Sequence, residues 1–247
     1  MRRILEPEVM DTKRDAEEYD AMDFWEADRR FAEDAVNLVR GRPNALVIDV
    51  GTGTAKIPVL MLERRRDLDI LAVDLAREML RIAQQRVADA GLADHCKLAT
   101  MDAKALRVSN AKYDLVVCNS TAHHIPEPSM LFREIARIVK PDGAILVRDL
   151  MRPTSLDDAW AIVKHVAAGE HMRQQQLFFD SLCAALTVEE VEALVRKAGL
   201  DRMRVEKCSD RHWTAERPLA SKNPDRDMLA GARMKRSVTP TGSSEAH

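Results

Sequence analysis

The run Leu46-Val-Ile-Asp-Val-Gly-Thr-Gly-Thr-Ala-Lys56, followed by Ile70-Leu-Ala-Val-Asp74, constrains this chain more than any other feature. A short β-branched stretch breaks at two glycines into a helix-forming pattern. A second buried strand then closes on a carboxylate about twenty residues further on. This is the opening β-α-β unit of a parallel α/β sheet, with glycines turning the backbone at the strand tip and Asp74 placed to hold a ribose. The ligand it implies is of nucleotide type. Which nucleotide depends on Asp49, which precedes the glycines.

From there the chain alternates. Residues 45–50, 70–74, 97–101, 113–119 and 144–149 read as strands. Between them lie a helix through Arg66, a helix with Met79, Ile82, Ala83 and Val87 on one face ended by Gly91, and a helix striped by Leu131, Ile135 and Ile138. Pro141-Asp142-Gly143 is expected to turn into the fifth strand. Thr154 with Asp157 predicts an N-cap, and Thr187-Val-Glu-Glu190 a capping box. Residues 203–208 and 212–216 suit an antiparallel hairpin. The fold expected is therefore a Rossmann-like α/β one, a seven-stranded, mostly parallel sheet with an antiparallel edge hairpin and helices on both faces. Residues 1–42 read as an N-terminal helical segment with apolar contacts from Phe24, Trp25, Phe31, Ala35 and Leu38. Residues 43–218 form the main domain, with 154–199 as a helical lid carrying Trp160, Phe178 and Phe179. Residues 219–247 read as a polar, disordered tail.

Composition excludes several classes of partner. Lys and Arg number 38 against 40 Asp and Glu, so nothing equips the chain to neutralise many phosphates, and no nucleic acid is expected. The longest apolar runs are one strand long, too short for a membrane span. The start, Met1-Arg-Arg-Ile-Leu-Glu-Pro-Glu, has no apolar stretch behind its arginines and reads as no secretory signal. Cys96, Cys118, Cys183 and Cys208 are scattered, as buried free thiols in a cytoplasmic protein would be.

A dinucleotide fingerprint would place its third glycine at position 56, where Lys56 stands. Asp49-Val-Gly51-Thr-Gly53 reads instead as acid-x-Gly-x-Gly. A carboxylate before the glycines suits a ligand bearing an ammonium group and opposes a pyrophosphate. In these motifs, over about residues 44–150, the chain resembles the class I S-adenosylmethionine-dependent methyltransferases, and among them the small-molecule, ubiquinone-methyltransferase-like group. The resemblance implies S-adenosyl-L-methionine as cofactor and S-adenosyl-L-homocysteine as product. It implies that Asp49 serves the methionine end, with Gly51, Thr52 and Gly53 passing close to it. Asp74 would hold both ribose hydroxyls, with Leu75 against the adenine. Asp102 would face the adenine amino group and the Ala103 amide the ring, while Asn119 lies beside the transferable methyl. Two positions depart from the pattern: Ala55 stands where the family often has glycine, and Lys56 brings a cation toward a sulfonium.

After the fourth strand comes Cys118-Asn-Ser-Thr-Ala-His-His-Ile-Pro126. DNA adenine and protein glutamine methyltransferases carry an Asn-Pro-Pro-Tyr type sequence there, so a bulky planar amide is disfavoured as acceptor. The His-His-Ile-Pro pattern is similar to the small-molecule enzymes. His123 or His124 can serve as base, since imidazole titrates near neutrality, or can simply pack the turn. Asp149 and Arg152 fall at the carboxyl edge of the sheet. There Arg152 can fork onto an acceptor anion and Asp149 orient a nucleophile, or the two can pair with each other. His212 can enter from the hairpin or lie on a solvated edge. No metal site is expected, because His165, Glu170 and His171 lack a ligand spacing. The leading reading is methyl transfer to a small-molecule acceptor by in-line displacement. The alternatives are an NAD(P)-dependent oxidoreductase on the same fold and a non-catalytic S-adenosylmethionine-binding protein.

Overall fold

The computed structural model describes residues 1–7, 9, 11–22 and 25–220; Phe24 and residues 221–247 of the expected tail lie outside the described residues. Strands form where β-branched and apolar runs occur: β1 (Leu46–Val50), β2 (Asp69–Asp74), β3 (Cys96–Thr100), β4 (Tyr113–Asn119), β5 (Val139–Leu150), β6 (Arg204–Lys207) and β7 (His212–Arg217). Among the described residues they make one seven-stranded sheet in the order β3-β2-β1-β4-β5-β7-β6. Strands β1 to β5 are parallel, and β7 and β6 close one edge antiparallel. Direction of travel through the sheet reverses between β1 and β4, the place where open α/β sheets bind ligands.

The helices are α1 (Lys13–Ala21), α2 (Trp25–Leu38), α3 (Lys56–Arg64), α4 (Arg77–Asp89), α5 (Ser129–Ile138), α6 (Leu156–Val166), α7 (Met172–Ala184) and α8 (Val188–Lys197). Alternation along the central strands splits the core in two. Val47, Leu115, Val117 and Leu146 pack with Phe31 of α2, Met61 of α3 and Ala83 of α4. Ile48, Val116, Ile145 and Val147 pack with Phe132 and Ile135 of α5 and Val191 of α8. Both faces of β1 and β4 are therefore covered, which is why Val47-Ile48 and Leu115–Cys118 at their centres are apolar on both faces. Asp49 is the exception in β1, only 1 % exposed among these side chains. Helices α6 and α7 pack mainly on each other through Trp160, Phe178 and Phe179, with Trp160 and Phe179 stacked at 4.4 Å.

Local details differ from expectation where tertiary contacts override propensity. Strand β5 begins at Val139, and Pro141–Gly143 lie within it as an irregularity opposite Tyr113 and Leu115, not as a separate turn. Ser155, not Thr154, caps α6, because its hydroxyl accepts from the Asp158 amide while Thr154 bonds the Asp158 carboxylate. Thr187 and Glu190 form the capping box as read. The described residues before Thr12 are not helical; Arg3 pins them by donating to the carbonyl oxygens of Ala184, His123 and Ile125. Trp25 is 58 % exposed, and Cys208 is exposed while the other three cysteines are buried. At the far end Leu219 packs against the core, and the Ala220 amide donates to the Asp142 carbonyl at 3.0 Å.

Candidate active site

A cleft opens at the carboxyl ends of β1 to β4, where open α/β sheets bind their ligands. Its floor is the glycine turn after β1. Gly51 and Gly53 have φ of +76° and +55°, and the Gly51 and Thr52 amides both donate to the Val73 carbonyl at 2.9 Å. A Cβ on Gly51 would lie 2.1 Å from Thr121 Oγ1, so glycine is required for close approach as well as for its dihedral. Ala55 takes φ +59° at the start of α3, the left-handed conformation that a glycine there would take more cheaply. Ser120, at φ +51°, is a further strained residue, at the tip of β4 on the cleft wall.

Asp74 closes β2 and ties the turn together. Its Oδ2 accepts from the Gly53 amide at 2.7 Å and its Oδ1 from the Ala76 amide at 2.8 Å. Burial nonetheless raises its pKa, outweighing those bonds. Asp49 lies beneath, its Oδ2 buried beside the Thr52 hydroxyl and without a well-aligned hydrogen bond among the described residues. Burial lifts the Asp49 carboxyl to about 7, and Asp74 and Asp28 push the same way. Tyr19 of α1 lies over Gly53, its ring 3.6 Å from where a Cβ on that glycine would stand, and its hydroxyl is held above the ordinary tyrosine range by burial and by Asp28, Asp74, Asp149 and Asp49. The site is thus a buried group of carboxylates whose mutual repulsion a cationic ligand would relieve.

Of the residues expected at the cofactor, Gly51, Gly53, Asp74, Leu75, Asp102 and Ala103 line the cleft. Asp49 and Thr52 sit behind the turn, and Asn119 one residue short of the lining, which Ser120 and Thr121 supply. Asp102 pairs with Lys104 at 3.0 Å. Lys56 points away from the glycines and donates to the carbonyls of Asp20 at 2.8 Å and Met22 at 3.2 Å.

Of the acceptor-side residues, His123, His124 and Asp149 cluster, while Arg152 and His212 are engaged by other partners. His124 lines the cleft, and burial beside His123 lowers its pKa to about 3, so it is neutral at pH 7. His123 is buried behind it with Nδ1 2.5 Å from Asp149 Oδ1. That contact raises the imidazole and lowers the carboxyl against the cost of burial. Asp149 also accepts from the amides of His123 and Leu150. Arg152 is 8 % exposed and engaged by Glu190 at 2.6 Å and the Ala185 carbonyl at 2.8 Å, so no Asp149–Arg152 pair forms. His212 bonds Ser209 Oγ at 2.9 Å, and burial depresses its pKa to about 4. Sequence reasoning missed Tyr19, Asp28 and Thr121. Only their neighbours in space distinguish them from ordinary helix and loop residues.

Comparison with known proteins bears on this geometry. A family model described as "Methyltransferase domain" matches residues 48–147. The methyltransferase GfsG of Streptomyces halstedii is 28 % identical over 189 residues, 75 % of this chain and 63 % of that protein. A ubiquinone biosynthesis O-methyltransferase of Leptothrix cholodnii is 29 % identical over 131 residues, 51 % of this chain and 54 % of its own. The chain thus spans less than two thirds of either relative. A SAM-dependent methyltransferase of Aquifex aeolicus shares the fold with a TM-score of 0.61 at 16 % identity, covering 85 % of this chain and 99 % of that one.

Proposed function

We propose that the chain is a class I S-adenosylmethionine-dependent methyltransferase, a reading supported by the methyltransferase-domain match over residues 48–147, and that it transfers the cofactor's methyl group to a small-molecule acceptor in the cleft above β1 to β4. The observation that carries this reading is the buried carboxylate group of Asp49 and Asp74 around two left-handed glycines. It fits a ligand with an ammonium and a sulfonium, and would repel a pyrophosphate. Bound there, S-adenosylmethionine supplies an electrophilic methyl on a good leaving group.

The chain's own contribution is then binding, alignment and exclusion of water. Asp49, with Gly51, Thr52 and Gly53, holds the methionine end; Asp74 takes the ribose, and Leu75, Asp102 and Ala103 the adenine. Asn119 orients the tip of β4 through the Thr121 hydroxyl, which donates to its carbonyl at 3.0 Å. The acceptor lies against Thr121, His124 and Ile125, where the neutral His124 imidazole faces it without adding charge. His123, Asp149, Arg152 and His212 act by holding this wall. Residues 1–42 cover the cofactor, and 154–199 cap the acceptor side of the 43–218 domain. A small acceptor is supported by relatives such as the ubiquinone biosynthesis O-methyltransferase. A cytoplasmic location is supported by four free cysteines.

Thermal unfolding tests the reading. S-adenosylhomocysteine at a hundred times its Kd should stabilise the protein by about 2.7 kcal/mol, roughly 5–10 °C in Tm for a chain of this size. Asp74→Ala should remove most of that shift. An unchanged shift overturns the ribose assignment, and stabilisation by NADH but not by S-adenosylhomocysteine overturns the proposal in favour of an oxidoreductase.

A further inference from the structure

The N-terminal strap brings a third potential ligand to two adjacent histidines. Arg3 seats residues 1–7 along the turn after β4, and Glu6 Oε1 comes to lie 3.2 Å from His124 Nδ1 and 3.5 Å from His123 Nε2. All three atoms lie within 4.8 Å of one another. Among the described residues neither Glu6 Oε1 nor His124 Nδ1 makes a hydrogen bond, although the Glu6 side chain is only 7 % exposed. Two buried polar atoms so close together and unsatisfied are costly unless something sits between them.

We propose that Glu6, His123 and His124 bind one divalent cation of the zinc type. Nitrogen and oxygen ligands stand about 2.0–2.1 Å from tetrahedral zinc, which places neighbouring ligand atoms roughly 3.3–3.4 Å apart. The observed separations of 3.2 and 3.5 Å bracket that spacing. The groups behind the ligands fit as well. His123 Nδ1 faces Asp149 at 2.5 Å, an arrangement that keeps the proton on Nδ1 and turns the Nε2 lone pair toward Glu6. The Ser181 hydroxyl donates to Glu6 Oε2 at 3.0 Å and fixes the other end of the carboxylate. Two imidazoles and a carboxylate form a borderline, nitrogen-rich set that suits zinc over magnesium or calcium. Because His124 is also on the cleft wall, the ion would fasten the strap to that wall. The site is separate from His165, Glu170 and His171, and Glu6 is so distant in sequence that no ligand spacing announces it.

The test uses untagged full-length protein stripped of metal by dialysis against a chelator and titrated with Co²⁺. One equivalent should produce the intense visible absorption of low-coordinate cobalt, and Zn²⁺ should displace it. Glu6→Gln and His124→Ala should each weaken binding at least tenfold, and Asp149→Asn by about 10- to 100-fold. His171→Ala should leave affinity unchanged. Circular dichroism of each variant verifies folding, and the Glu6 variant alone is decisive because its side chain lies on the strap, outside the sheet core. Absence of the cobalt spectrum, or equal affinity in wild type and Glu6→Gln, overturns the proposal.

Discussion

Gly51 shows what one hydrogen atom in place of a side chain achieves at this site. Its positive φ and the 2.1 Å approach of a built Cβ to Thr121 Oγ1 act together. Gly51→Ala should therefore cost left-handed strain plus overpacking, about 2–4 kcal/mol by urea denaturation. It should also abolish binding of S-adenosylhomocysteine. Gly91 supplies the control, since its φ is +65° but nothing lies within 4 Å of a built Cβ. Gly91→Ala should cost only the strain, about 1 kcal/mol, and leave binding intact. Gly51, Gly53 and Asp74 were legible in the sequence because glycine and a strand-end carboxylate are local signals. Asp28 and Tyr19 were not, since an acid in a helix's first turn or a tyrosine near its end has many ordinary uses.

At the scale of elements, α1 is the α-helix with the fewest buried residues among those described. Ala16 is its one buried residue, so docking relies on polar contacts. Arg86 of α4 grips Asp20 at 2.8 and 3.0 Å and the Thr54 carbonyl at 2.7 Å, while Lys56 donates to the last carbonyls of α1, where the helix dipole favours a cation. Arg173 reaches α1 from α7 through Asp15 and Glu18. Arg86→Ala should loosen α1 without disturbing the sheet. Hydrogen exchange in residues 13–21 should quicken by at least tenfold, and S-adenosylhomocysteine should bind several-fold more weakly, while Tm falls by only a few degrees. Unaltered exchange in α1 would show that apolar contacts suffice. Lys56 illustrates the limits of reading position alone: its place in sequence put it near the sulfonium, yet its long side chain reaches the opposite way, to unsatisfied carbonyls.

For the molecule as a whole, the consequence of gathering carboxylates in one place is a dependence on pH. Asp49 ionises near 7 when folded, above its ordinary 3.8, so between those values the folded chain holds a proton the unfolded chain has lost. Its contribution to stability without ligand is present below pH 3.8 and is lost as pH rises through 7. An ammonium ligand favours the ionised form, which reverses the trend for binding. Affinity for S-adenosylhomocysteine should rise about tenfold from pH 6 to pH 8, with close to one proton released at pH 6. Calorimetry in buffers of different ionisation enthalpy measures that release, and Asp49→Asn should flatten the profile. The alternating strands and helices, the edge hairpin and the Thr187 cap are legible in the sequence alone, because hydrophobic period, caps and turn residues act over a few neighbours. The charge state of Asp49 and the grouping of Glu6 with His123 and His124 are decided only by the tertiary structure. Both arise from burial and from contacts between segments far apart in the chain, and nothing local records which distant groups a folded backbone will bring together.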